Sequence, residues 1–296
     1  MKSLLLFLLF PVLSMDAGEP VLSVYLPDYR VKAGDQPRLY GTTHLILFSA
    51  KPRPDGSVDF SRITPELLGF AGKAREQSDI KITACVGGWG RGKEFATAVS
   101  TAENREKFAG ELAAFCELHN LDGIDLDWEF PKGEQEHADL EAFLAILSAK
   151  LKPAKRLLTI ALGYTRPLPA ACWPYIDQVN LMSYQPWSVE PYEAWLAKSV
   201  KRFLEAGLPA EKLIVGVGFF TKEKAGERRT VSWKKIDTAI PDSPHGYWPV
   251  GKEACDLRLK LVKEHGLGGV MVWDYGHDST DPEKSLLRYI STAGKM

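Results

Sequence analysis

The sequence predicts a (β/α)8 barrel, and three observations carry that prediction. Eight short apolar, β-rich runs recur along the chain: Val21–Leu26, His44–Ser49, Ile80–Val86, Gly123–Trp128, Leu157–Gly163, Gln178–Tyr184, Leu213–Phe219 and Gly269–Trp273. Helical patterns separate most of them, the mark of βαβ units and a parallel sheet. The 296 residues are also enough for eight such units to close on themselves, which takes about 250 residues.

The elements follow in order. Lys2 precedes an apolar run, Leu4–Leu13, of ten residues, half of the roughly 20 that a spanning helix needs. Residues 1–18 are therefore expected to be a secretory signal, cleaved after Ser14 or near Gly18. That leaves residues 19–296 as a single exported barrel domain, extracellular or periplasmic, with no membrane attachment after signal removal. Pro27 to Thr43 carries no helical pattern, so the first unit is irregular. Thr64 reads as an N-cap with Pro65 at the first helical position, opening a helix toward Gln77. Ser100 and Glu103 have the spacing of a capping box, and Phe108, Leu112, Phe115 and Cys116 follow at helical spacing. Further helices are expected over His137–Lys150, Pro191–Ala206 and Lys252–His265. Asp281–Pro282 opens the last one, with Leu286, Leu287, Tyr289 and Ile290 as its apolar stripe. Thr221 to Gly251, which holds Gly, Pro, Trp233, Tyr247 and Trp248, reads as a short loop insert between strands 7 and 8.

Composition narrows the partners. Lys plus Arg is 37 and Asp plus Glu is 38, a formal net charge of −1, so no basic excess draws the chain to nucleic acid or an anionic bilayer. Export permits disulfides among the four Cys, yet Cys85 lies in a strand and Cys116 on an apolar helix face, which favours buried free thiols. The six His show no metal-ligand spacing, and neither a metal nor a cofactor is expected. Gly87-Gly-Trp-Gly-Arg-Gly92-Lys93 imitates a phosphate loop, but Glu94 stands where Ser or Thr would hold magnesium. The glycines read instead as a loop that passes close to a ligand.

The most informative segment is Leu121-Asp-Gly-Ile-Asp-Leu-Asp-Trp-Glu-Phe-Pro131. Side chains alternate along a strand, so Asp125, Asp127 and Glu129 share one face and Ile124, Leu126 and Trp128 the other. The apolar set suits the layer beneath the helices. The acids then face the barrel interior and its carboxyl end, where barrel enzymes keep their chemistry. Carboxyls spaced about 6–7 Å apart along a strand cannot all ionise cheaply inside a protein. The outermost, Glu129, is placed to hold a proton near neutral pH, as a general acid must. Asp122 has the wrong parity and sits at the strand entrance, where a structural role is expected. The strict period of two makes a poor metal cage.

Asp122-Gly-Ile-Asp125-Leu-Asp127-Trp-Glu129 resembles the DxxDxDxE signature of glycoside hydrolase family 18. Lys81 to Trp89 resembles that family's SxGG strand, Asn180-Leu-Met182-Ser-Tyr184 its M-x-Y strand, Lys212 to Phe220 its seventh strand and Gly266 to Trp273 its last. The resemblance runs in order over about residues 21–292 and implies a TIM barrel that hydrolyses β-1,4-linked N-acetylglucosamine polymers or oligomers, such as chitin. It implies substrate assistance, in which the sugar's own acetamido oxygen attacks the anomeric carbon. Glu129 would be the general acid and base, Asp127 would orient the acetamido group, and Asp125 would share its proton. Tyr184 would donate to the acetamido oxygen, Met182 would line the pocket, and Trp273 would floor it. Gly87 and Gly88 would shape the neighbouring loop. Two positions depart from the pattern: Cys85 replaces the serine of SxGG, and Gln185 replaces the aspartate after the M-x-Y tyrosine. An amide at Gln185 still binds a sugar but alters the charge around Asp127.

Flat rings suit pyranose faces, so Trp89, Trp187 and Trp273, at or after strand ends, are the candidate platforms. Tyr25 is counted with them as substrate-binding, and Trp248 is a weaker candidate. Trp128 and Trp195 read as structural. The insert is shorter than those that wall deep clefts, which predicts a shallow cleft and endo action. Two other readings stay open: an endo-β-N-acetylglucosaminidase on glycans or peptidoglycan, and a chitin-binding lectin without catalysis. The chain is expected to act as a monomer.

Overall fold

The computed structural model describes residues 19–186, 191–224, 229–236 and 247–294; the signal segment and Trp187 lie outside them. Eight parallel strands form the frame: β1 (Val21–Pro27), β2 (His44–Pro52), β3 (Lys81–Gly87), β4 (Gly123–Asp127), β5 (Leu157–Gly163), β6 (Gln178–Met182), β7 (Leu213–Gly218) and β8 (Gly269–Trp273). Each pairs with its neighbours in sequence, and β1 pairs with both β2 and β8. The sheet therefore closes, and the predicted (β/α)8 barrel is observed.

Among the described residues, six helices of two turns or more pack outside: α1 (Pro65–Gln77), α2 (Ala102–Leu118), α3 (Gly133–Leu151), α4 (Tyr192–Glu205), α5 (Lys252–His265) and α6 (Leu286–Ala293). No α-helix follows β1, as the sequence indicated, and after β5 only a 3₁₀ segment, Ala170–Tyr175, fills the place. α1 begins as read: Thr64 accepts from the Leu67 N–H at 3.3 Å with Pro65 at the first position. Two helix starts need correction. α2 is capped by Thr101, whose hydroxyl accepts from Asn104 N–H, while the Ser100 hydroxyl donates to the Thr97 carbonyl of the preceding turn. The adjacent Thr is an equally good cap, so the box pattern is displaced by one residue. α6 starts at Ser285, because the Asp281 carboxylate is spent on a local turn to Glu283 N–H; Asp278, from the preceding loop, supplies acceptors to Leu286 and Leu287.

The alternation of side chains separates two cores. Ile124, Leu126 and Trp128 face outward into the layer between strands and helices, where Trp128 stacks on Phe95 at 5.4 Å. Inside the barrel a smaller cluster joins Tyr25, Ile46, Phe48, Cys85, Ile214 and Met271. The four cysteines are buried free thiols. In the insert, Phe220–Lys222 pairs antiparallel with Thr230–Ser232, folding the chain back beside the barrel mouth.

Candidate active site

The carboxylate row is laid out by β4. Asp125 lies opposite Cys85 of β3 and Thr159 of β5, and Asp127 lies opposite Gly87. Asp125 is fully buried and saturated: Tyr25 Oη donates to Oδ2 at 2.8 Å, while Thr159 Oγ1 (2.5 Å) and Asn180 Nδ2 (3.0 Å) donate to Oδ1. Burial raises its pKa, and the hydrogen bonds from Thr159, Tyr25, Cys85 and Asn180 pull it back. Asp127, one step outward, is buried with Oδ1 lacking a protein partner among the described residues. Burial, then the charges of Glu129 and Asp125, push its carboxyl well above the usual range. Glu129, half-buried just past the strand end, is pushed up by burial to about 7. Asp127 and Glu129 both line one cleft of about 1010 Å³ at the carboxyl end of the barrel. Two adjacent acids that cannot both ionise cheaply can pass a proton to a bound molecule.

Two glycines hold that geometry. A Cβ on Gly87 would sit 2.2 Å from the Asp127 carbonyl oxygen, and one on Gly88 would sit 2.3 Å from the Phe48 ring. Both have positive φ, +101° and +96°, which L side chains disfavour. Gly88 N–H donates to the same Asp127 carbonyl at 2.7 Å, tying the β3 loop to the acid. Gly87→Ala is therefore expected to lose about 3 kcal/mol or more of stability, since backbone blocks the new methyl and φ is strained; a urea midpoint within error of wild type would contradict the assignment.

Around the acids the cleft is aromatic. Trp273 packs against Phe48 (4.8 Å between centroids) and Tyr25 (5.5 Å), forming part of the floor. Trp89 stands at the rim, 79% exposed. Met182, Tyr184, Gln185 and Tyr25 also line the cleft. The Tyr25 hydroxyl is already committed to Asp125, so its ring, not its polar tip, is what faces the cleft. The Gln185 amide donates to the Phe220 carbonyl at 2.9 Å, which ties the β6 loop to the insert. Tyr184 Oη lies 3.7 Å from Met271 Sδ, and burial followed by the nearby Asp127 and Glu129 charges raises its pKa, keeping it a donor. Asp122 faces the opposite end, accepting from Ile82 N–H at 2.8 Å and pairing with Arg75. Trp248 is buried and lines the cleft, whereas Trp195 is buried on α4 with its ring against Tyr192 and Tyr164.

Sequence reasoning missed several members. Thr159 and Asn180 are inward polar residues of β5 and β6, and their parity alone marks them as partners for a buried acid. Phe48, Phe130, Tyr164, Phe220, Arg91, Arg166 and Lys222 also line the cleft; Phe48 shares the inward face of β2 with Ile46 and was open to the same parity argument, whereas the others come from loops and strand ends whose direction no periodicity gives. Three non-proline peptide bonds, Phe48–Ser49, Glu129–Phe130 and Trp273–Asp274, are cis.

The sequence profile described as Glycosyl hydrolases family 18 matches residues 21–278. The chain belongs to glycoside hydrolase family 18. Within it, the chain is 27% identical over 265 residues to a chitinase-like effector of Moniliophthora roreri, covering 74% of this chain and 65% of that one. It is 26% identical over 232 residues to chitinase A1 of Niallia circulans, covering 64% and 33%, and 27% identical over 270 residues to mouse (Mus musculus) chitotriosidase-1, covering 66% and 58%. It thus spans about a third to two thirds of the length of these relatives. The family 18 fold is shared with the chitinase ChiB of Flavobacterium johnsoniae (TM-score 0.77, 23% identity, 93% of this chain and 94% of that one). It is shared too with chitinase ChiW of Paenibacillus sp. FPU-7 (TM-score 0.79, 24% identity, 93% and 43%). Among the described residues no three His, Cys, Asp or Glu side chains cluster as a metal site, and no helix is long and apolar enough to cross a membrane.

Proposed function

We propose that this family 18 member hydrolyses β-1,4 linkages between N-acetylglucosamine units, in chitin or its oligomers, with retention of configuration. The observation that carries the reading is the Glu129 carboxyl, lining the cleft with its pKa raised to about 7 by burial and with buried Asp127 beneath it. Glu129 gives its proton to the glycosidic oxygen as the C1–O bond breaks. The acetamido oxygen of the same sugar closes on C1, forming an oxazolinium ion, so the protein needs no nucleophile. Asp127 orients the acetamido N–H and faces the new positive charge, and Tyr184 Oη donates to the acetamido oxygen. The Glu129 carboxylate then takes a proton from water, which opens the ring from the face the leaving group left. Trp273 floors the reacting sugar, and Met182 and Gln185 flank it, with Trp89 and Trp187 as outer platforms. Residues 1–18 direct export, and residues 19–296 act as one catalytic unit, as a monomer. The short insert favours cleavage within a chain over processive release from its end.

Four measurements test this. Tetramers of N-acetylglucosamine are expected to release β-anomers first by NMR, and a glucose tetramer, lacking the acetamido group, to remain intact; equal cleavage of both would exclude substrate assistance. Tyr184→Phe removes a donor aimed at developing charge and is expected to lower kcat about 10–100-fold with little change in KM; an unchanged kcat would remove Tyr184 from the mechanism. The acid form of Glu129 is the active one, so kcat/KM should fall tenfold per pH unit above about pH 7. A rate that climbs through that range would contradict the assignment. Wild-type protein that binds oligomers without any turnover would favour a lectin.

A further inference from the structure

Behind the floor of the cleft lies a second charged cluster that the hydrolytic steps leave unused. Asp274 follows Trp273 directly and is fully buried. Its Oδ2 accepts from Arg30 Nη2 at 3.1 Å and Nε at 3.3 Å, while Oδ1 has no partner among the described residues. The same Arg30 Nη2 lies 2.5 Å from His277 Nε2. A guanidinium only donates, so Nε2 must supply the lone pair, and the neutral ring carries its proton on Nδ1. Nδ1 is buried as well, with no hydrogen-bond partner among the described residues and 3.7 Å from Asp274 Oδ2. Arg30 ends the 3₁₀ turn Asp28–Arg30 after β1, beside Tyr29, and His277 ends the turn Tyr275–His277 after β8. From the insert, the Phe220 ring lies 5.7 Å from that of His277, and Lys234 Nζ donates to the Gly276 carbonyl at 2.5 Å. A Cβ on Gly276 would fall 2.4 Å from Arg30 Cδ, so this turn rests on the arginine stem. The cluster thus joins three elements, each of which gives the cleft one ring: Tyr29, Trp273 and Phe220.

A second proton on His277 has only Nε2 to go to, where it points at an Arg30 N–H. Donor then faces donor, and the contact cannot persist. The charged groups facing the ring are Asp274, Arg30, Lys234 and Lys235. Burial pushes the His277 pKa below the ordinary 6.5; Asp274 opposes this, and Arg30, Lys234 and Lys235 add to it. The ring is therefore neutral at pH 7 and takes its second proton only in acid. We propose that Arg30, Asp274 and His277 form a clamp that positions the cleft rings for the sugar chain, closed while His277 is neutral and opened when it is protonated. None of the three lines the cleft, so they are positioning residues. They act through rings that meet the chain in ground and transition states alike, and affinity and KM respond more than kcat. The clamp rests on the hydrolytic reading above and adds an acid limit to the binding of its substrate.

The test measures binding of an N-acetylglucosamine tetramer by calorimetry from about pH 7.5 to about 4.5. Glu129→Gln serves as the parent, because it removes both cleavage and the titration of Glu129. Its Kd is expected to rise about tenfold as His277 protonates, the worth of one charge-assisted hydrogen bond. Adding His277→Gln gives Arg30 an acceptor that does not titrate, and should keep the neutral-pH Kd while flattening its rise. Asp127 remains in both proteins, so the difference between them belongs to His277. Adding Arg30→Gln should raise Kd about tenfold already at neutral pH. With Glu129 restored, the Arg30 change should appear in KM, kcat moving less than about threefold. A merely structural cluster would lower the urea midpoint of each variant and leave the pH dependence of Kd as in the parent, which overturns the clamp. A parent Kd that is flat over the range overturns it too, with no further variant needed. If wild type still cleaves the tetramer in either case, the hydrolase reading stands. The expected Kd changes without cleavage by wild type overturn the hydrolase and leave the clamp, and no binding at any pH overturns both.

Discussion

Glu129→Gln is expected to lower kcat on N-acetylglucosamine oligomers by about 10²–10⁴-fold and, at pH 8, to make the protein more stable than wild type. The two effects have one cause. The folded protein holds this carboxyl at about 7 against an ordinary 4.5. Its raised pKa means that the folded state suffers no penalty below pH 4.5 and loses stability as pH rises through 7, where the buried group must ionise. An amide of the same shape escapes that cost. The gain at pH 8 should be about 1–3 kcal/mol, seen as a higher urea midpoint, and should vanish near pH 4. Asp127 loses a neighbouring charge in the same variant, which adds to the gain. A variant that is inactive and less stable at pH 8 would show that the Glu129 carboxyl is not a proton carrier held neutral by the fold.

Arg258→Ala is expected to cost about 3–5 kcal/mol of stability, although Arg258 touches no part of the cleft. Its guanidinium, fully buried on α5, donates to the carbonyls of Gly216 (3.0 Å), Ala254 (3.0 Å) and Ser183 (2.6 Å). It also lies 5.1 Å from the ring centroid of Tyr192, whose hydroxyl donates to the Tyr184 carbonyl at 2.9 Å. Together they grip the chain at the end of β6, directly behind Tyr184. Truncation leaves buried carbonyls unpaired and a cavity behind the β6 loop. Arg258→Met fills the space but not the hydrogen bonds and should recover only part of the loss. Urea titrations of the three proteins check this; a truncation cost under 1 kcal/mol would mean that water replaces the guanidinium freely.

Arg258 also illustrates what could be read along the chain and what could not. Ala254, Cys255, Leu261 and Val262 form the buried face of α5, and Arg258 falls on it by spacing, so its burial was legible. Two of its three partners were not, because Gly216 belongs to β7 and Ser183 follows β6, 42 and 75 residues away in sequence. The helix starts at Thr101 and Ser285 differ from the expected ones for a related reason. Several cap-capable residues stood within two or three positions, and a tertiary partner such as Asp278 chose among them.

By itself the sequence determined the barrel, since eight β-rich runs with helices between them have few other ways to bury both faces of a parallel sheet. It also determined the division of β4 into acids and apolar residues, because alternation is a local property of extended backbone. Only the tertiary structure decided that Thr159, Asn180 and Tyr25 saturate Asp125 while Asp127 is left with an unpartnered oxygen. It likewise decided that Arg30 reaches both Asp274 and His277. Those outcomes depend on which strands are neighbours in the closed sheet and on how far each loop leans over its mouth. Burial and proximity act through space, and they set the proton affinity that no local pattern encodes.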